Sequence, residues 1–245
     1  YEPGPHRLAC GDSTSGDVWD ALLQGEKIQC VWTDPPYGVG YIAARARFSE
    51  GGGTPRPIEN DFMTPEETAE LWDKAFTQLK RSAGPGSAWY CAGPPGAWRL
   101  LKCLETFGYK RLLVWVKNTF VLGTGQYHYR HEAIMHGCFP GAKILHPVPR
   151  NVDSVFEISR PRNSKEHPTM KPVELVAEMV ANSTDRDWIV ADAFGGSGTT
   201  LLAAAALGRR ARLVELDPRY CDVIRRRWTK HAVERDEDPG AGALQ

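Results

Sequence analysis

Short apolar runs alternate with amphipathic stretches along almost the whole chain, and this alternation most limits what it can fold into. Residues 28–33, 87–92, 110–117, 188–194 and 211–216 are runs of six to eight residues, rich in β-branched and aromatic side chains. Runs that short read as buried strands. Residues 7–10 and 132–137 are two further candidates. Between them lie helical patterns over 17–23, from Thr64 onward, up to Phe107, over 172–182, over 199–207 and from Asp217-Pro218 onward. Thr64-Pro65-Glu66-Glu67 is a capping box with Pro at the first helical position, and Gly108 and Gly208 are helix stops. Asp12 and Ser13 are placed to cap the first helix. Strands alternating with helices predict an α/β fold built on a doubly wound, mainly parallel sheet. At 245 residues the chain can be one large α/β domain or two small ones, and alternation across almost the whole length makes a single domain spanning 1–245 the expectation.

The run 28–33 ends on Asp34-Pro35-Pro36-Tyr37. In open α/β sheets the carboxyl ends of strands are where ligands bind. Each proline fixes its own φ and extends the residue before it, so the turn is stiff. It can hold a carboxylate and a backbone carbonyl on one small polar group, with an aromatic ring alongside. A planar base bearing an amine suits that arrangement; a Pro-rich turn capped by Asp is the plainer account of the same four residues.

A second turn follows the run 188–194. Asp192-Ala193-Phe194 leads into Gly195-Gly196-Ser197-Gly198, then a helix, a strand and Glu215, twenty residues after Gly195. That spacing suits a carboxylate accepting hydrogen bonds from ribose hydroxyls, and the glycines would let backbone approach a ligand at a helix N-terminus. A P-loop would need a Lys after Gly198, where Thr199 stands, and a dinucleotide fingerprint would need Gly where Leu201 stands. A nucleoside without phosphates fits better.

Thirty basic residues balance thirty acidic ones, so a nucleic-acid surface would have to be a local patch. The segment 138–165 is the best candidate: Pro140, Pro147, Pro149 and Pro161 break it up, and Lys143, Arg150, Arg160, Arg162 and Lys165 make it basic. A solvated connection is the alternative. A mobile loop is expected at about 40–58, where Arg45, Arg47 and Arg56 accompany Gly51-Gly52-Gly53; it reads as a lid, a phosphate contact or a plain surface loop. The six Cys are scattered singly and read as reduced, buried thiols. His128-x-x-His131 has the wrong spacing for a zinc-binding helix pair, and no metal is expected. No apolar stretch is long enough to span a membrane. The chain opens on Tyr1 without an initiator Met or signal pattern, so a cut from a longer chain is expected, and the tail from about 234 reads as disordered.

Three ordered motifs carry a resemblance. Asp192-Ala193-Phe194-Gly195-Gly196-Ser197-Gly198-Thr199-Thr200 resembles the S-adenosylmethionine motif of amino-methylating DNA methyltransferases, and Asp34-Pro35-Pro36-Tyr37 looks like their catalytic motif. His167-Pro168-Thr169-Met170-Lys171-Pro172 is similar to the segment preceding the cofactor motif in that family, and Tyr127-His128-Tyr129-Arg130-His131-Glu132, after Trp115-Val116-Lys117, to the pattern before its variable region. The catalytic motif comes first, then the variable segment, then the cofactor motif: the permuted order of the β-class enzymes. The resemblance covers roughly residues 7–230, with Ala193 standing where the family usually has Pro.

The resemblance implies a Rossmann-like, circularly permuted fold whose seven-stranded sheet has one reversed strand. It implies methyl transfer from S-adenosylmethionine to the N6 amine of an adenine flipped out of double-stranded DNA. N4-cytosine methylation and RNA adenine methylation are the alternatives. Asp34 and the Pro35 carbonyl would hold the amine, within the catalytic set Asp34, Pro35, Pro36 and Tyr37, and Tyr37 would stack on the base. Cofactor contacts would come from Asp12, Ser13, Asp34, Lys171, Asp192, Phe194, Gly195, Gly196, Ser197, Gly198, Glu215 and Leu216, with Lys171 on the methionine carboxylate and Asp12 on the adenine amine; for Asp12 a plain helix cap remains open. Arg45, Arg47, Arg130, Arg150, Arg160 and Arg162 would face DNA. The family's setting implies a cytoplasmic, nucleoid-associated protein of a prokaryote or phage, of the restriction–modification type. A homodimer and an N-terminal ParB-like domain beyond this chain are further expectations.

Overall fold

The computed structural model describes residues 1–38, 63–94, 98–120, 126–160 and 170–234. They form one sheet of eight strands: β1 (Arg7–Cys10), β2 (Ile28–Thr33), β3 (Ala83–Gly93), β4 (Tyr109–Val116), β5 (His131–Cys138), β6 (Val155–Glu157), β7 (Ile189–Asp192) and β8 (Arg210–Glu215), in the order β1–β8–β7–β2–β3–β5–β4–β6. β5 pairs antiparallel with β3 and β4, and every other pairing is parallel, so β5 is the one reversed strand. Seven strands were expected and eight are present. The addition, β6, lies inside the proline-broken segment read as an irregular excursion. Three residues are too few to show an alternating pattern, and β6 is held by its register with Val114–Val116 of β4.

Six helices cover the sheet among the described residues: α1 (Gly16–Leu23), α2 (Pro65–Ser82), α3 (Trp98–Glu105), α4 (Val173–Ala181), α5 (Thr199–Ala206) and α6 (Pro218–Glu234). The first three lie on one face, where Trp19, Trp72, Phe76 and Leu79 meet Val31 and Trp89. The last three lie on the other, where Val176, Met179, Leu201, Ile224 and Trp228 meet Trp32 and Trp115. Alternate residues of β2 face opposite cores, as strand geometry requires. The Thr64 box is formed: its hydroxyl accepts from Glu67 N at 3.2 Å and Glu67 Oε2 accepts from Thr64 N at 2.8 Å. The first helix differs from expectation. Its N-cap is Ser15, with no side-chain cap bond, while Asp12 accepts from Thr14 N in the turn before it. All six Cys are free; Cys30, Cys91, Cys138 and Cys221 are buried, but Cys10 is exposed.

The parallel strands end at one edge, and this edge carries the chemistry. In spatial order it presents Cys10–Ser13 after β1, Glu215 after β8, Asp192–Gly198 after β7 and Asp34–Tyr37 after β2. The start of β5 and the ends of β4 and β6 lie on the same edge. Among the described residues no helix is long and apolar enough to cross a membrane.

Candidate active site

The turn after β2 is fixed from three sides. Trp72 of α2 donates its indole N–H to the Pro36 carbonyl at 3.0 Å, and its ring packs 6.3 Å from that of Tyr37. Gly38 has φ +65, and a Cβ there would lie 2.6 Å from the Met63 carbonyl and 2.5 Å from Thr68 Oγ1, so only glycine fits. Asp34 is gripped at both oxygens: the Tyr37 hydroxyl donates to Oδ1, and the buried Lys171 ammonium donates to Oδ2 at 2.5 Å. Burial, reinforced by the Asp34 and Glu132 carboxylates, pushes the Tyr37 phenol far above its ordinary value, so it remains a donor.

Behind Lys171 the row of charges continues. Glu132, at the start of β5, takes Lys171 on Oε2 at 3.3 Å and Lys117, just past β4, on Oε1 at 2.5 Å. Burial alone would raise the Glu132 carboxyl, but the two lysines pull it below its ordinary range. For Lys171 burial works against the charge, and the two carboxylates outweigh it, so its pKa is raised. Neither Glu132 nor Lys117 was expected at the site. Both belong to motifs singled out in the sequence, but only the register of Val116 with His131 brings them together.

Asp192, expected among the cofactor contacts, is tied into the fold. It is buried and accepts from Thr33 Oγ1 at 3.0 Å, Phe194 N at 3.0 Å and Thr200 Oγ1 at 2.5 Å. Its bonds within the protein thus join the end of β2, the glycine turn and α5. Burial, opposed by those hydrogen bonds, pushes its carboxyl up to about 7. The glycines too have a packing cause. A Cβ on Gly198, at φ +79, would sit 3.0 Å from Ile224 of α6, and one on Gly195 would lie 3.3 Å from the same side chain.

Glu215 accepts from Gly196 N at 2.7 Å and from Asp217 N at 2.9 Å, which fixes its carboxylate beside the glycine turn. Burial raises its pKa despite these bonds. Leu216, next to it, is 45% exposed, and Phe194 is half-buried. Ser13 is buried and Asp12 exposed at the end of β1. The Ser197 carbonyl accepts from Arg227 of α6 at 2.5 Å. Apart from Lys171, which approaches α4, the expected cofactor residues therefore share one edge, at the ends of four adjacent parallel strands.

The expected DNA-facing arginines divide. Arg130 precedes β5, where its carbonyl accepts from Lys117 N at 2.8 Å, and Arg160 follows β6, where its N–H donates to Asn118 Oδ1 at 3.2 Å. Both lie at the Asp34 edge. Arg150 precedes β6 and is not brought there. The chain leaves β5 at the opposite edge, where Leu145 N bonds the Gly86 carbonyl near the start of β3, and returns through β6. Arg45, Arg47 and Arg162 lie outside the described residues, as do His167–Thr169 and the loop expected at about 40–58. Exposed aromatics gather in the β4–β5 connection at the Asp34 edge: Tyr127 is 86% exposed, and Phe120 stacks on His128 at 5.5 Å.

The family model described as DNA methylase, of the N6/N4 methyltransferase type, matches residues 28–226. The chain is 26% identical to the type II methyltransferase M.HinfI of Haemophilus influenzae, over 86% of this chain and 66% of that protein's length. Among solved structures it resembles the M1.HpyAVI–SAM complex (TM-score 0.66, 21% identity, 91% of this chain and 98% of that one). It also resembles the cytosine-N4-specific PvuII DNA methyltransferase (TM-score 0.65, 17% identity, 91% of this chain and 86% of that one).

Proposed function

This chain belongs to the DNA methylase family of the N6/N4 type, and from that premise we propose that it methylates the N6 amine of adenine in double-stranded DNA, using S-adenosylmethionine. The observation that carries the reading is that Asp34, just after β2, and the glycine turn, just after β7, follow neighbouring strands, with Thr33 and Asp192 bonded at 3.0 Å between them. An acceptor site and a nucleoside site thus sit side by side on one rigid edge.

The residues present fit the cofactor. Glu215 offers a fixed carboxylate to ribose hydroxyls, exposed Leu216 beside it an apolar face to a purine, and Lys171 a cation to the methionine carboxylate. The SAM named with M1.HpyAVI, on a similar fold, supports the same assignment. When bound, S-adenosylmethionine supplies a methyl group activated by a sulfonium. The chain's own part is positioning. The target nitrogen shares its lone pair with the ring; Asp34 and the Pro35 carbonyl would accept its two hydrogens, localise the pair and aim it. Trp72 holds the carbonyl of Pro36, not that of Pro35. Each Asp34 oxygen has a second lone pair, so it can accept from the amine while bonded to Tyr37 or Lys171. Transfer would form one N–C bond at the expense of the donor's S–C bond, and the methylated amine would then lose one proton to water. Tyr37 would stack on the base once it leaves the duplex.

Asp at position 34 favours adenine, because the N4-cytosine enzymes of the family it resembles more often carry Ser there. DNA would approach the edge formed by the β4–β5 connection and the end of β6, where Arg130, Arg160 and the exposed Tyr127 lie. The test is incubation with labelled cofactor and mixed-sequence DNA, followed by hydrolysis to nucleosides. Label in N6-methyladenine is expected; label confined to cytosine overturns the base assignment, and label only in RNA overturns the substrate. Asp34→Ala should abolish transfer and leave cofactor binding largely intact.

A further inference from the structure

We infer that Glu132 is a positioning residue for methyl transfer, which acts by sharing the Lys171 ammonium with Asp34; the inference rests on the methyltransferase reading above. The observation is a row of alternating charges, Lys117–Glu132–Lys171–Asp34, contributed by β4, β5, the approach to α4 and the turn after β2. Both lysines are buried, and each Glu132 oxygen takes a different one of them. A pair serving only to close β4 on β5 would be complete with Lys117 and Glu132. The contact from Glu132 to Lys171 adds a tie to the side chain that grips the reacting carboxylate.

The tie has a chemical consequence. Asp34 must accept hydrogen bonds from an amine that becomes positive as the N–C bond forms. A lysine ammonium given wholly to Asp34 would oppose that, because it satisfies the carboxylate and repels the developing charge. Lys171 has three N–H groups; one goes to Asp34 and one to Glu132. Glu132 thus draws off part of the ammonium's field and sets where its head group sits. In a largely buried site such terms are screened less than in bulk water. Lys117 in turn anchors Glu132, so the row is neutral as a whole and removing one member leaves an uncompensated buried charge. The third Lys171 N–H is left for the cofactor's carboxylate, and Lys171 keeps its charge when Glu132 loses its own, so cofactor affinity should change less than rate.

Glu132→Gln keeps the shape and removes the charge. Single-turnover methyl transfer at saturating cofactor and DNA should slow at least about tenfold, while cofactor Kd and DNA KM stay within about threefold. Adding Lys117→Gln to Glu132→Gln should cost little more in rate, because Lys117 acts through Glu132. Glu132→Asp, which keeps the charge and withdraws it by one methylene, should recover part of the rate and serves as the decisive variant if Glu132→Gln does not fold. A folded Glu132→Gln protein with wild-type rate overturns the inference, as does a rate loss matched by an equal loss of cofactor affinity. If only Glu132→Asp folds, an unchanged rate overturns it. Wild-type protein that transfers no methyl group to DNA would instead overturn the functional reading itself.

Discussion

The Thr33 hydroxyl donates to Asp192 Oδ1 at 3.0 Å, joining two segments 159 residues apart in the chain. Thr33 immediately precedes the proposed acceptor Asp34, and Asp192 begins the glycine turn. Asp192 also takes Phe194 N and Thr200 Oγ1, so a single buried carboxylate sets the spacing between the two halves of the site.

That carboxylate gives a pH prediction. Its pKa rises from 3.8 unfolded to about 7 in the fold, so the folded state binds the extra proton between those values. Its contribution to stability is then fully present below pH 3.8 and falls as pH rises to about 7. Asp192→Asn removes the titration. The stability of the variant relative to wild type should climb across that window, by at most about 4 kcal/mol. Urea unfolding of both proteins at several pH values checks this; a constant difference would show that Asp192 is not the group responsible.

Most of the fold was legible because its strands are short apolar runs separated by amphipathic helices. The turns at Asp34 and Gly195 were legible because Pro, Gly and Asp announce their own backbone requirements. β6 was not, since three residues among prolines carry no period. Glu132 and Lys117 were visible as residues but not as partners: their meeting depends on strand register, which single-sequence patterning does not report. The sequence patterns that suggest ligand contacts for Asp192, Gly195 and Gly198 do not reveal their partners in the fold, Thr33, Thr200 and Ile224. Chemistry suited to a ligand and chemistry suited to a tight turn use the same residue types.

Gly198→Ala separates those causes. At φ +79 an alanine is strained, and its Cβ would also press Ile224 at 3.0 Å. Gly25, at φ +84 with no atom within 4 Å of its Cβ position, carries the strain alone. Gly25→Ala should cost about 1–2 kcal/mol, and Gly198→Ala more. Urea midpoints measure both, and equal losses would rule out the Ile224 contact as a cause.

Trp72→Phe retains an aromatic ring in the core and deletes the N–H that holds the Pro36 carbonyl. The lost hydrogen bond should cost about 1 kcal/mol, and the ring volume removed from a fully buried site adds to that loss. The larger effect should be on rate, because small displacements of positioning groups are costly. Methyl transfer should fall several-fold at unchanged cofactor affinity, measured by single turnover and calorimetry. An unchanged rate would mean that the prolines alone hold the turn.

Arg160 and Arg150 offer a test of where DNA lies. Both come from the same basic segment, but Arg160 follows β6 at the Asp34 edge, while Arg150 precedes that strand and is separated from the edge by its length. An arginine on a phosphate contributes about 0.9 to the slope of log K against log salt. Arg160→Ala should therefore weaken binding and flatten that slope by roughly one such contact, in fluorescence anisotropy across a salt series. Arg150→Ala should change both much less. Equal losses would move the DNA path off the Asp34 edge and onto the whole of the segment, because the strand between the two arginines keeps them from sharing one phosphate.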